Sequence, residues 1–174
     1  ASARIKSGPT SFQMATAGRQ ALIAVGSRRR HSYGAAMSEI MTPQPPYSPP
    51  QHVQSLDECY FYHTMDVPGH GTVKGEWDLR GRIDPYLGRF DFAGKRVLDV
   101  GAASGILSFH MEQQGAEVVS FDLSDEYDWD IVPFAANDTM NMRAERRQHL
   151  RRINNGYWLC HKAFGSRARM VNGI

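Results

Sequence analysis

Lys95 to Ser124 reads KRVLDVGAASGILSFHMEQQGAEVVSFDLS, and the order of its parts decides the fold. Val97, Leu98 and Val100 form a short apolar run of the kind a buried strand uses, and Gly101 ends it where the backbone must turn sharply. Ala102, Ala103, Ser104 and Gly105 keep that turn small. Ile106, Leu107, Phe109, His110, Met111 and Gln114 then recur at helical spacing until Gly115 offers a stop. A second apolar strand, Val118 to Phe121, closes on Asp122. Because the helix starts at the turn, its free N–H groups and positive dipole end face whatever the turn holds, which favours an anionic or carboxylate-bearing ligand. An acid about twenty residues beyond the first glycine, at the carboxyl end of a neighbouring parallel strand, is placed to accept hydrogen bonds from ribose hydroxyls. The stretch reads as an α/β nucleotide cradle.

The glycine spacing separates cofactor classes. A dinucleotide turn wants G-x-G-x-x-G, so that a pyrophosphate can lie against the backbone. This chain has Gly101, Ala103 and Gly105 instead, which argues against a dinucleotide oxidoreductase. The pattern D-x-G-x-x-x-G, beginning at Asp99, resembles motif I of the class I S-adenosylmethionine methyltransferases. The resemblance implies an α/β, Rossmann-like fold with S-adenosyl-L-methionine as cofactor. It implies that Asp99, Gly101, Ala102, Ala103 and Gly105 form the cofactor turn, and that Asp122 with Leu123 holds the sugar. Ala103 stands where the commoner form of the motif has its middle glycine.

Upstream, YHTMDVPGHGTVKGEWDLRGRIDPYLGRFDFAGKRVLDVG resembles the approach segment of methyltransferases related to the tRNA wobble-uridine 5-oxyacetate and 5-methoxyuridine synthases. Glu76, Trp77 and Arg82 match that group's Glu-Trp pair and following base, and His63 falls where it carries another basic residue. The resemblance implies that Trp77, Arg82 and His63 help close the cofactor pocket, with a tRNA wobble uridine or a small molecule as acceptor. A histidine in place of the family's lysine favours plain S-adenosylmethionine over a carboxylated form. Read without the resemblance, Trp77 is equally a large core residue joining this segment to the sheet. His63 and His70 bracket the glycine-rich VPGHG turn with no third ligand nearby, so no metal is expected.

Composition bounds the rest. The chain has 174 residues, a formal net charge of +2 and 41% hydrophobic residues, enough for one domain with a real core. No apolar run approaches the roughly 20 residues that span a bilayer. Two cysteines, Cys59 and Cys160, argue against a disulfide framework and fit the cytoplasm. The charge is unevenly placed: Arg4, Lys6, Arg19 and Arg28 to Arg30 all precede the first acid, Glu39. This leader reads as an unstructured extension, with a targeting presequence and a nucleic-acid arm as alternatives and a possible short helix from Met14 to Val25. The proline-dense MTPQPPYSPPQ that follows is an extended linker. The expected organisation is a disordered leader over 1–50, a lead segment over 51–94 opening with a helix from Val53, and the cradle domain over 95–174.

Beyond Asp122, the acids Asp125, Glu126, Asp128 and Asp130 around Tyr127 and Trp129 read as a solvated acidic loop, or as a lid over the ribose. Asn141 to Phe164 reads as a long amphipathic helix interrupted near Asn154 to Gly156, with Ile153, Tyr157, Leu159 and Ala163 as its buried stripe. Its arginines, Arg143, Arg146, Arg147, Arg151 and Arg152, form either a solvated face or a track for a phosphate backbone. Ala168 to Val171 starts a third strand. The methyltransferase resemblance implies a seven-stranded sheet, so the expectation is a partial domain truncated after the third strand, with an open apolar edge on the first. A non-catalytic Rossmann-like binding module is the alternative.

Overall fold

The computed structural model describes residues 13–17, 21–27, 47–127 and 139–173. Three parallel strands form its centre: β5 (Lys95–Val100), β6 (Glu117–Leu123) and β7 (Arg169–Gly173). They are linked by crossover helices α2 (Ile106–Gln113) and α3 (Thr139–Phe164). Both helices lie on one face of the sheet. Ser108 of α2 and Tyr157 of α3 hydrogen-bond to the same layer of side chains, Asp99 and Ser120, so the strands' alternation puts Val97, Asp99, Val118, Ser120 and Met170 in the core. Leu98, Val100, Val119, Phe121 and Val171 point to the opposite face, where Leu98 is 37% exposed. This is a Rossmann-like α/β arrangement.

The leader departs from expectation. Gln13–Ala17 (β1) and Ala21–Ser27 (β2) are strands, not one short helix or an unstructured stretch, and they extend the sheet in the order β1-β2-β5-β6-β7. β2 runs antiparallel to β5, with Leu22 opposite Val100 and Ser27 opposite Lys95. The edge of β5 expected to stay open is therefore paired. Short runs such as ALIAVGS carry apolar residues for either element, and a neighbouring strand with free N–H and C=O groups decides in favour of pairing. The Arg28 to Arg30 cluster and most of the proline-rich linker lie outside the described residues. At the linker's end, Ser48 donates its N–H to Met170 O at 2.8 Å and accepts Asn172 N–H on its Oγ at 3.2 Å. Tyr47 meanwhile stacks under the Arg169 guanidinium at 4.6 Å. The linker thus caps the β7 edge.

The lead segment is also not the helix expected from Val53. Only Leu56–Glu58 forms a turn of 3-10 helix, closed by a capping box between Ser55 and Glu58. From Cys59 the chain is extended: Cys59, Phe61, Met65 and Val67 are buried, a period of two rather than 3.6. It leads into a hairpin of β3 (Met65–Val67) and β4 (Gly71–Val73), then into the four-residue helix α1 (Ile83–Tyr86).

Helix α3 is continuous across Asn154 to Gly156, where an interruption was expected. Tertiary contacts account for these three weak helix formers. Asn154 Nδ2 donates to Leu123 O at 3.1 Å, and Asn155 Nδ2 donates to Glu58 O at 3.0 Å. A Cβ on Gly156 would stand 3.0 Å from Tyr60 O. Tyr60 N–H in turn donates to Arg152 O at 2.8 Å, so the helix offers a flat, polar strip on which the lead segment lies. Trp158 is buried with Tyr157, Leu159 and Cys160.

Candidate functional site

The turn after β5 is held by its neighbours on three sides. Gly101 and Ala102 both donate N–H to Phe121 O, at 2.8 and 3.3 Å, and Gly105 N–H closes on Ala102 O at 2.8 Å. Ala103 N–H donates to the Asp122 carboxylate at 2.5 Å, and Leu123 N–H donates to the other oxygen of the same group at 2.7 Å. Ala103 has a φ of +48°, left-handed backbone in which a Cβ costs about 1 kcal/mol. That is the physical reason a glycine is the easier residue here, and the Asp122 bond helps hold the alanine in place. Gly105, the residue before α2, has φ +85° and cannot be replaced cheaply: a Cβ would fall 2.4 Å from Phe109 Cε2 and 2.9 Å from Tyr157 Cδ2.

A cleft of about 250 Å³ opens above this turn at the carboxyl ends of β5 and β6. Gly101, Ala102, Ala103 and Asp122 line it from the cradle, His63 with Tyr62 from the lead segment, Tyr86 from α1, Leu107 from α2 and Ile153 from α3. Four residues that span 60 positions of sequence are thereby joined: His63 stands with Gly101, Ala103 and Asp122. Tyr62, Tyr86 and Leu107 were not singled out from the sequence. The alternation from Cys59 to Val67 was the available signal that the lead segment is a strand with one side turned to the sheet. A larger cleft of about 450 Å³ lies at the opposite ends of the strands between Lys95, Glu112, Glu117, Arg167 and Arg169, away from the turn.

Other sequence-derived candidates fall elsewhere. Asp99 is fully buried beneath the turn, where one carboxylate oxygen accepts Ser108 Oγ–H at 2.6 Å and the other has no partner among the described residues. Burial, reinforced by the charge of Asp122, pushes its carboxyl up to about 6 despite the Ser108 bond. Gly105 packs under the turn, and Leu123 carries backbone bonds to Asp122 and Asn154. Arg82 is an exposed residue before α1 and Trp77 is 59% exposed, and neither is among the residues that line the cleft. Trp77 is thus not the core residue of the alternative reading.

Within the cleft, burial raises the Asp122 carboxyl while the Ala103 and Leu123 N–H groups oppose it. Burial also lowers the His63 imidazole from its ordinary value. His63 Nδ1 is buried with no hydrogen-bond partner among the described residues. The lowered pKa favours the neutral ring, which carries one N–H and one bare nitrogen. Such a ring donates one hydrogen bond and carries no charge.

Arg151 pairs with Asp125 at 2.8 Å, and Arg152 donates to Cys59 O at 3.0 Å, so these two helix arginines serve the fold. Asp128 and Asp130, with Trp129, lie outside the described residues. Among the described residues no cluster of His, Cys, Asp or Glu is arranged to hold a metal, and no helix is long and apolar enough to cross a membrane.

The chain is 51% identical over 45 residues to the ubiquinone biosynthesis O-methyltransferase of Azoarcus sp. (strain BH72), and 49% identical over 45 residues to that of Xanthomonas oryzae pv. oryzae (strain PXO99A). The mixed α/β arrangement with three parallel strands fits a Rossmann-like methyltransferase fold. Each match takes in 26% of this chain and 19% of the relative, so it spans about a fifth of the curated proteins. These relatives support a class I methyltransferase in general and do not single out the tRNA wobble-uridine group. No protein-family model and no solved structure matches the chain.

Proposed function

We propose that the cleft over Gly101 to Ala103 is an S-adenosylmethionine site and that the protein to which this chain belongs transfers a methyl group to an oxygen nucleophile. The observation that supports this best is the convergence of the turn's small residues with the Asp122 carboxylate at the ends of two parallel strands. S-adenosylmethionine would supply an activated methyl on a positively charged sulfur. The chain's own contribution would be positioning. Gly101 and Ala102 let the ligand approach the backbone, Asp122 accepts the ribose hydroxyls, and the His63 ring offers a neutral polar group to the ligand. A neutral His63 offers no cation for a second carboxylate, which favours the plain cofactor. The O-methyltransferase names of the relatives support an oxygen acceptor. A tRNA wobble uridine rests on the Glu76-Trp77 and Arg82 segment alone. Cytoplasmic placement is supported by two buried free thiols, Cys59 and Cys160.

Calorimetric titration with S-adenosylmethionine tests the site. Asp122→Ala, with its circular dichroism unchanged, is expected to bind at least about tenfold more weakly, the equivalent of about 1.4 kcal/mol. Equal affinity of the two proteins would remove Asp122 from the site.

A further inference from the structure

Tyr86 reaches the cleft from α1, a single turn of helix in which none of the residues Ile83 to Tyr86 is buried. Its backbone bonds close on its own turn. Tyr86 N–H donates to Arg82 O at 2.9 Å, Leu87 N–H to Ile83 O at 2.8 Å and Arg89 N–H to Asp84 O at 2.7 Å. Leu87, the next residue, is buried in the core. A second tie is made by side chains. Asp84 Oδ1 lies 2.7 Å from His110 Nε2 and 2.8 Å from Gln114 Nε2, and since a carboxylate only accepts, both nitrogens donate to it. The His110 bond, and after it the Gln114 bond, hold the Asp84 carboxyl below its ordinary value. Asp84 and Tyr86 stand two apart on a helix, so they leave it on nearly opposite sides, one toward α2 and the other toward the cleft. α2 itself starts beside Gly105 of the turn, its Leu107 lines the same cleft, and His110 follows one turn further along that face. One helix thus touches both the turn and the support of Tyr86.

We propose that His110 is a positioning residue: by gripping Asp84 it sets α1 against α2 and so fixes the Tyr86 ring as a wall of the cleft. His110 is not among the residues that line the cleft, so its effect on a ligand passes through Asp84 and Tyr86. A one-turn helix with no buried residue opens locally at small cost, and a wall carried on it is only as well placed as its side-chain ties. Ordering that wall before a ligand arrives spares the ligand the cost of ordering it. The approach to α1 is fixed separately, by Arg80 on Asp66 at 2.8 Å and on Asp78 at 2.7 Å. Loss of the His110 contact therefore frees α1 without releasing the β3–β4 hairpin. The ligand part of this inference rests on the reading of the cleft as a cofactor site, whereas the latch between α1 and α2 does not.

The ring resonances of Tyr86 in the full chain, identified by their loss in Tyr86→Ala, read the wall with no cofactor present. They are expected to move in His110→Ala and in Asp84→Ala, and to return to the parent position in His110→Gln, whose amide nitrogen reaches the place of Nε2. Calorimetry with S-adenosylhomocysteine should show at least about fivefold weaker binding for His110→Ala and near-parental binding for His110→Gln, with circular dichroism unchanged in each. In a Tyr86→Ala background His110→Ala should add nothing, because the wall it positions is gone. Resonances unmoved by His110→Ala overturn the latch, and so does a loss of affinity that adds in full to that of Tyr86→Ala. Binding by His110→Gln as weak as by His110→Ala assigns the loss to packing instead. Resonances that move while affinity equals the parent's overturn the link from the latch to the ligand. A parent that does not bind S-adenosylhomocysteine, with Tyr86 still moved by His110→Ala, removes the cofactor reading and leaves the latch.

Discussion

Asp99 shows how one residue can look like a ligand contact in sequence and act as a foundation in structure. Its carboxylate sits in a buried chain of hydroxyls, Ser108 to Ser120 at 2.8 Å and Tyr157 to Ser120 at 2.8 Å, under the turn it precedes. Burial raises this acid above its unfolded value, so the native state holds its proton where the unfolded chain has lost it. The stability penalty of burying the charge is complete above about 6 and is relieved as pH falls toward the unfolded value near 3.8. Asp99→Asn is therefore expected to be more stable than the parent at neutral pH, by at most about 3 kcal/mol, with the gap closing by pH 4. Urea denaturation at pH 4 and 7.5 measures it. A parent that gains stability relative to Asp99→Asn as pH rises would contradict this account.

Among the elements, α3 carries the clearest lesson. Asn154, Asn155 and Gly156 lower its intrinsic propensity, yet each serves a contact with β6 or the lead segment, and the helix runs unbroken through 26 residues. Gly156 is the tightest of the three, 3.0 Å from Tyr60 O and 3.5 Å from Ser104 Oγ for an added Cβ. Gly156→Val should destabilise the chain by about 2 kcal/mol, because overpacking outweighs the gain in propensity. It should also lift the strand that carries Tyr62 and His63 away from the cleft. Hydrogen exchange at Tyr60 N–H and Thr64 N–H reports that movement; protection unchanged from the parent would show that the helix surface is not what holds the lead segment.

At the scale of the molecule, the two crossover helices α2 and α3 cover one face of the parallel sheet, and the other presents Leu98, Val100, Val119, Phe121 and Val171. Side-chain alternation then predicts opposite results at adjacent positions. Leu98→Lys, at 37% exposure, should change stability by less than about 1 kcal/mol, whereas Val97→Lys, at 2%, should cost about 4 kcal/mol or prevent folding. Comparing the two denaturation midpoints tests which face is the core; equal losses would refute the assignment.

The cradle was legible because it is local. Strand, turn, helix and second strand occupy thirty consecutive residues, and their periods and glycines need no distant partner to be read. The third strand and the helical character of α3 were visible for the same reason. What the tertiary structure decided depends on residues far apart in the chain. The extended lead segment won over a helix because α3 and the turn supply partners for its backbone. β1 and β2 won over a helix because β5 offered a free edge. His63, Tyr86 and Ile153 meet Asp122 only once the chain has folded back on itself. Local periodicity fixes elements; which side chains share a cleft is set by long-range pairing, and that information is not written in any single window of the sequence.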